Sequence, residues 1–247
     1  MSGAKHSILL TIFFFVVFSW CSCKKDTATQ LPESNPALRF DISFRVDTAA
    51  VQANKLIYHN KAGNNYSITN YQCYLSNFAM LNEKQQWVGG SDVWFADAFD
   101  AKTQRYTSYS IPAGVYSKLR LIIGLDSLHN LNDALPATAA NINMKWPPEM
   151  GDGYHFLKFE GKYVDDSNNI RGFMMHLGTN MFKVELEIPV AYNTATDTVL
   201  SLSMNINEWF CNPFTYSLTR QGASTMTADS LMNYIKNNGS DVLSIKK

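Results

Sequence analysis

Charge of either sign is scarce in this chain of 247 residues. Charged side chains make up 17%, and Lys plus Arg equal Asp plus Glu at 21 each. No one-sided field therefore draws a nucleic acid backbone, and no Lys/Arg stretch carries interleaved aromatics, so nucleic acid is not an expected partner. The motifs that announce hydrolases, zinc peptidases and nucleotide-binding enzymes are missing too: there is no GxSxG, no HExxH and no P-loop. Cysteine is limited to four residues with no CxxC or CxxH spacing, which excludes a zinc ribbon. No apolar run reaches the ~20 residues that a membrane-spanning helix needs.

The longest apolar run is at the start, from Ser7 to Trp20, behind Lys5 and His6. It is too short to span comfortably and has the layout of a secretory signal. "WCSC" follows, then "KKD". Small Ser22 directly before Cys23 resembles the cleavage site of a bacterial lipoprotein signal, in which the cysteine becomes the lipidated first residue. Bulky Trp20 before Cys21 makes that residue the poorer candidate. The expected division is a signal peptide over 1–22, a flexible tether over 23–36 ("CKKDTATQLPESNP", polar and without periodicity), and a folded body over 37–247. This places the protein at the cell envelope, lipid-anchored in a membrane on a periplasmic or surface-facing side.

What is abundant is aromatic and alternating. Aromatics are 13% of the chain. "LRFDISFRVD" puts Phe40, Ile42, Phe44 and Val46 on one face; "FKVELEIPV" does so with Phe182, Val184, Leu186, Ile188 and Val190; "LSLSMNI" continues with Leu200, Leu202, Met204 and Ile206. Period-two alternation means strands with one wet and one buried face. Further strand candidates are separated by the turn signals "KAGNN", "VGGS", "IPAGVY" and "DDSNN". The expected fold is all-β, an antiparallel β-sandwich. "SLHNLNDAL" suggests one or two helical turns. "TADSLMNYIKNNG" suggests a short C-terminal helix, capped by Thr227, closed by Gly239, and docked through Leu231, Met232 and Ile235. Cys73 and Cys211 remain in the body. They could pair in an oxidising envelope, a link worth about 4–5 kcal/mol, or remain as two buried thiols.

Residues for chemistry are few. Glu185 and Glu187 share a strand face, but their strict alternation reads as a solvated surface. No nucleophile has a base nearby, and no catalysis is expected. The body's histidines, His59, His129, His155 and His176, are well separated, so a metal site would have to be assembled across strands. Alternation groups His155 with Leu157 and Phe159, and His176 with Met174; both read first as hydrogen-bonded core imidazoles. Met144, Met150, Met174 and Met175 read first as packing. Gly178 reads as a strand end needing a positive φ.

The motifs "YLSNFAML", "PAGVYSKLRLIIGLD", "MKWPPEMGDGYHFLKFEG", "MHLG" and "NINEWFCNP…NNGSDVLSI" together resemble the MbnP-like family of copper-associated, methanobactin-linked proteins, over most of residues 37–245. That resemblance implies a secreted or lipid-anchored β-sandwich, copper as the bound metal, and the HLG histidine, His176, as a copper ligand. Copper-binding relatives also use an oxidised tryptophan with a histidine two positions later. None of Trp87, Trp94, Trp146 or Trp209 has one, so that element is not carried over. The remaining ligand set is His176 with His155 or the sulfur of Met174 or Met150.

The resulting expectation is an envelope-anchored, non-catalytic copper-binding lipoprotein that exchanges metal with a copper donor or acceptor protein. The alternative is a lipoprotein module that binds a glycan or protein partner and has lost the metal site. In that case Trp87, Trp94 and Trp146 would form an exposed aromatic platform. A purely structural envelope protein is the third reading.

Overall fold

The computed structural model describes residues 38–197 and 199–246, all within one compact unit. Cys23, the signal and the tether lie outside the described residues. Thirteen strands run in chain order: β1 (Leu38–Val46), β2 (Ala49–Ala50), β3 (Tyr58–His59), β4 (Asn65–Asn82), β5 (Trp87–Gly89), β6 (Val93–Asp97), β7 (Arg105–Ser108), β8 (Val115–Ile123), β9 (His155–Val164), β10 (Ile170–Gly178), β11 (Val184–Asn193), β12 (Val199–Asn205) and β13 (Leu243–Ile245). Two α-helices accompany them, α1 (Ala139–Asn143) and α2 (Asp229–Asn238).

The strands form the two sheets of a sandwich. One runs β13-β12-β1-β2, with β7 also on β1; the other runs β10-β9-β4-β8-β11, with β3, β5 and β6 on β4. The second sheet is organised by β4, whose first half pairs with β9 and second half with β8. Cys73 faces both Leu157 and Ala96, so β4 is flanked on both edges there.

Alternation explains which face goes in. Leu38, Phe40, Ile42, Phe44 and Val46 are all buried, as are Leu200, Leu202 and Met204 opposite them. At the centre Tyr66, Phe159, Phe173 and Phe210 meet edge to face, a geometry that aromatic quadrupoles favour. The polar tips are paired: the Trp209 indole N–H donates to the Tyr71 hydroxyl at 2.7 Å, which donates to the Met204 sulfur at 2.9 Å.

The all-β sandwich and the short C-terminal helix agree with the sequence reading, with differences in detail. The pairing is antiparallel except between β1 and β12, which run parallel. Residues 127–135 make turns without a helix; the nearby helix is α1. Helix α2 begins one residue later than the expected cap requires, with Ala228 at the N-cap and no side-chain capping bond, while Gly239 closes it as expected. Met232 and Ile235 are buried against the sandwich. No described helix is long and apolar enough to cross a membrane.

Cys73 and Cys211 do not pair; both are free thiols. Cys73 is fully buried in β4, whereas Cys211 donates to Glu208 Oε2 at 2.9 Å. The expected carboxylate face is solvated: Glu185 pairs with Lys183 and Glu187 with Lys118.

Candidate metal centre on the outer face of the β9–β10 hairpin

The hairpin register fixes the neighbours of His176. Along β10 and β9, Met174 faces Glu160, His176 faces Lys158 and Leu177 faces Leu157. Phe173, Met175 and Leu177 are buried inward, so His176, Lys158 and Glu160 share the opposite face. Beyond Leu177 the register shifts, and Gly178 lies opposite His155. This bulge transfers His155 from the face of Leu157, where unbroken alternation had put it, to the face of His176; an extra residue in one strand reverses the side-chain alternation. The two imidazoles meet at 90° with their centroids 4.9 Å apart. Each residue is only 5% exposed.

Each ring has defined partners. His155 Nδ1 lies 3.0 Å from the Lys145 carbonyl and 3.2 Å from that of Met144. Two acceptors require Nδ1 to carry the proton, leaving Nε2 as the lone-pair nitrogen. Burial, then His176 and Lys158, push the His155 pKa down to about 4, so the ring is neutral at neutral pH. His176 Nε2 lies 2.8 Å from Glu160 Oε1, and its Nδ1 lies 3.0 Å from the sulfur of Met226. The bond from His176 holds the Glu160 carboxyl below its ordinary value against the opposing effect of burial, with help from Asn70.

Met226 arrives on a strap that runs along the free edge of β10. Met174 N–H donates to the Ala223 carbonyl at 2.7 Å, and the Thr225 hydroxyl both accepts from His176 N–H at 2.7 Å and donates to the His176 carbonyl at 2.6 Å. One hydroxyl thus holds both backbone polar groups of His176, and the thioether is set beside Nδ1.

Trp146 closes the other side. Its ring packs on His155 with centroids 4.6 Å apart, and its indole N–H donates to the Met150 carbonyl at 3.3 Å. Gly178 does not have the positive φ expected of it. It is required for another reason: a Cβ there would lie 2.2 Å from the Trp146 ring.

Of the sequence candidates, the structure brings the rings of His155 and His176 together, whereas the side chains of Met174 and Met150 reach solvent. Met174 is 49% exposed and Met150 41% exposed, and Met150 contributes a carbonyl to Trp146. His129 is engaged by Asp126 instead. The sequence reading missed Glu160 and Met226. Glu160 could have been found by counting the register back from the "DDSNN" turn; Met226 had no signal, because fifty residues of chain separate it from His176. The aromatic platform is also corrected. Trp94 and Trp146 are 3% exposed, and only Trp87 reaches solvent appreciably, so no shared surface for stacking a sugar exists among these three.

Among the described residues no group of three or more His, Cys, Asp or Glu side chains is placed to hold a metal. The donors that do gather are two imidazoles and one thioether, a soft set. Neutral imidazole with thioether fits reduced copper and does not fit calcium or magnesium, which take oxygen ligands.

Fold and site together define a β-sandwich protein with a cluster of imidazole nitrogens and a thioether sulfur on an outer sheet face. The family model for MbnP matches residues 35–230, and the chain belongs to the MbnP family. A solved structure, MbnP from Methylosinus trichosporium, is similar to it with a TM-score of 0.51 and 13% identity, over 70% of this chain and 77% of that one. This similarity shows a shared fold. No curated protein matches the chain.

Proposed function

We propose that this protein binds copper(I) between His155, His176 and Met226, as a non-catalytic copper-handling protein tethered at the bacterial envelope through Cys23. One observation carries the reading. If Glu160 takes the Nε2 proton of His176, the Nδ1 lone pair meets the Met226 sulfur at 3.0 Å. Two electron-rich atoms in contact need a proton or a soft cation to hold them, and the neutral His155 ring stands perpendicular beside them.

The roles follow from the partners. His155 offers Nε2, because the Met144 and Lys145 carbonyls hold its tautomer. His176 offers Nδ1, because Glu160 holds the opposite nitrogen, an outer-shell arrangement that orients a metal-binding imidazole. Met226 adds softness that selects the reduced ion. Trp146 and the strap keep water from both rings. Membership in the MbnP family supports copper as the metal. The neighbouring Trp146–His155 contact places a tryptophan against the histidine pair although no W-x-H motif is present. The expected exchange partner is a protein that donates or accepts copper.

A competition titration against a chromophoric copper(I) chelator tests the assignment. The mature protein is expected to take up one equivalent, and His176→Ala and His155→Ala are each expected to lose that stoichiometric binding. Unchanged binding in His176→Ala would overturn it.

A further inference from the structure

The histidine pair is covered at one end and open at the other. Along β10 the register with β9 is unbroken from Ile170 to Leu177, so Met174 and His176 share the outer face, about 7 Å apart along the strand. Gly178, on the far side of His176, lies against the Trp146 ring. That end is built over by the segment from Asn143 to Trp146. The carbonyls of Met144 and Lys145 hold the His155 ring, and the indole packs on it. The Lys158 ammonium donates to the Asn143 carbonyl at 3.2 Å.

The charges at the two ends differ in sign. Lys158, the cross-strand partner of His176, stands at the covered end, and its charge helps to keep the His155 ring neutral. Glu160, the cross-strand partner of Met174, stands at the open end as a carboxylate, with Oε2 accepting from Asn70 at 3.4 Å. A cation approaching this face is drawn toward Glu160 and repelled by Lys158.

The soft donors follow the same direction. The strap runs parallel to β10, with Ser224 bridged to Met174 and Thr225 bonded to the His176 backbone. The next residue, Met226, brings its sulfur to His176 Nδ1. Exposure falls from Met174, at 49%, through the half-buried Met226 to the two imidazoles. Met150 is also exposed but belongs to the covered end, where its carbonyl accepts from Trp146.

We infer that Met174 is the entry and exit ligand for copper(I): its thioether takes the ion from a donor at the open end and passes it to Met226 and His176, without belonging to the resting site. The inference rests on the copper reading above. Exchange of this kind is associative, with an incoming ligand bound before an outgoing one leaves. An exposed thioether beside a buried site therefore speeds transfer in both directions and leaves the equilibrium unchanged. The ion stays copper(I) throughout. A copper–sulfur bond to Met174 forms as a bond to the donor breaks, and it breaks in turn as the bonds to Met226 and His176 form. Thioether suits a transient ligand because it is neutral, flexible and soft.

Stopped-flow absorbance with copper(I) neocuproine, a cationic coloured complex, tests the inference on the mature protein. Uptake is read as loss of colour when protein is in excess, and release as its return when neocuproine is added in excess to copper-loaded protein. Met174→Leu, which keeps the volume of an exposed side chain, is expected to slow both by about ten-fold, with the equilibrium titration unchanged. Met150→Leu is expected to leave both rates as in the wild type. Near-UV circular dichroism checks the fold of each variant. Equal slowing in Met150→Leu would overturn the inference, as would weaker affinity with faster release in Met174→Leu, the signature of a resident ligand. A wild type that takes up no copper(I) at equilibrium defeats the copper reading and this inference together. Normal uptake by the wild type, with both rates unchanged in Met174→Leu, defeats the inference alone.

Discussion

Gly178 and Trp146 occupy space that a single added carbon would make impossible: a Cβ on the glycine would come within 2.2 Å of two ring atoms of the indole. Because the same indole packs on His155, the glycine controls the histidine through the tryptophan. Gly178→Ala must displace a buried ring, and overpacking of this kind costs about 1–3 kcal/mol. Urea unfolding is expected to show a lower midpoint with an unchanged slope, and the copper(I) titration a weaker site.

Met226 can be tested without disturbing volume. Met226→Leu keeps the packing and removes the sulfur, a swap that usually costs under about 1.5 kcal/mol of stability. Copper(I) affinity is expected to fall by about ten-fold or more while copper(II) affinity stays within a few-fold, since thioether discriminates between the two oxidation states. Parallel competition titrations with chelators for each ion measure the difference. Equal losses for both ions would assign Met226 to packing.

Glu160 touches no proposed metal atom and acts through His176. Glu160→Gln retains shape and loses the charge that orients the ring. Loss of such an outer-shell partner typically weakens metal binding by about 10–100-fold. The expected result is that loss with one-to-one stoichiometry retained, and an altered His176 ring signature in nitrogen NMR.

Cys211 provides a test of electrostatics away from the histidines. Burial first, then the bond to Glu208, raises its pKa to about 12. At pH 8 the folded thiol is therefore protonated, and iodoacetamide is expected to label native protein far more slowly than urea-unfolded protein, in which both Cys73 and Cys211 react. The linkage has a definite sign. An unfolded thiol releases its proton near its ordinary value of about 8.5, whereas the folded one keeps it, so the folded state binds more protons as pH rises from about 9 toward 12 and stability falls across that window. Glu208→Gln is expected to flatten the decline and speed native labelling.

The sandwich was legible because β1 and the first half of β11 alternate so regularly that burial followed residue by residue, and the solvated Glu185 and Glu187 came out of the same pattern. In β12 the apolar face was legible, but Ser203 and Asn205 are buried on the other. The family was legible from the order of its motifs. The geometry of the site was not. His155 is on the face of His176 because of a register shift, and a bulge carries no mark in a run such as "GYHFLKFEG", where every residue suits a strand. Met226 is brought in by a strap whose hold on β10 is a threonine bonding to backbone, an interaction open to any sequence. The parallel pairing of β1 with β12 was hidden for a similar reason: alternation fixes which face is wet, and is silent about the direction of the neighbour. The thiols stayed apart because Cys73 was claimed by the core of β4 and Cys211 by a carboxylate.

That parallel pair affects how the body is assembled. Arg39 lies beside Val199 and Arg45 beside Asn205, 160 positions further along the chain, so the first described strand waits for its lengthwise neighbour until all the intervening strands have been synthesised. Loop closure over such a separation is slow. During that interval β1 carries one apolar face and one unpaired edge, an open invitation to wrong strand partners until β12 takes its place.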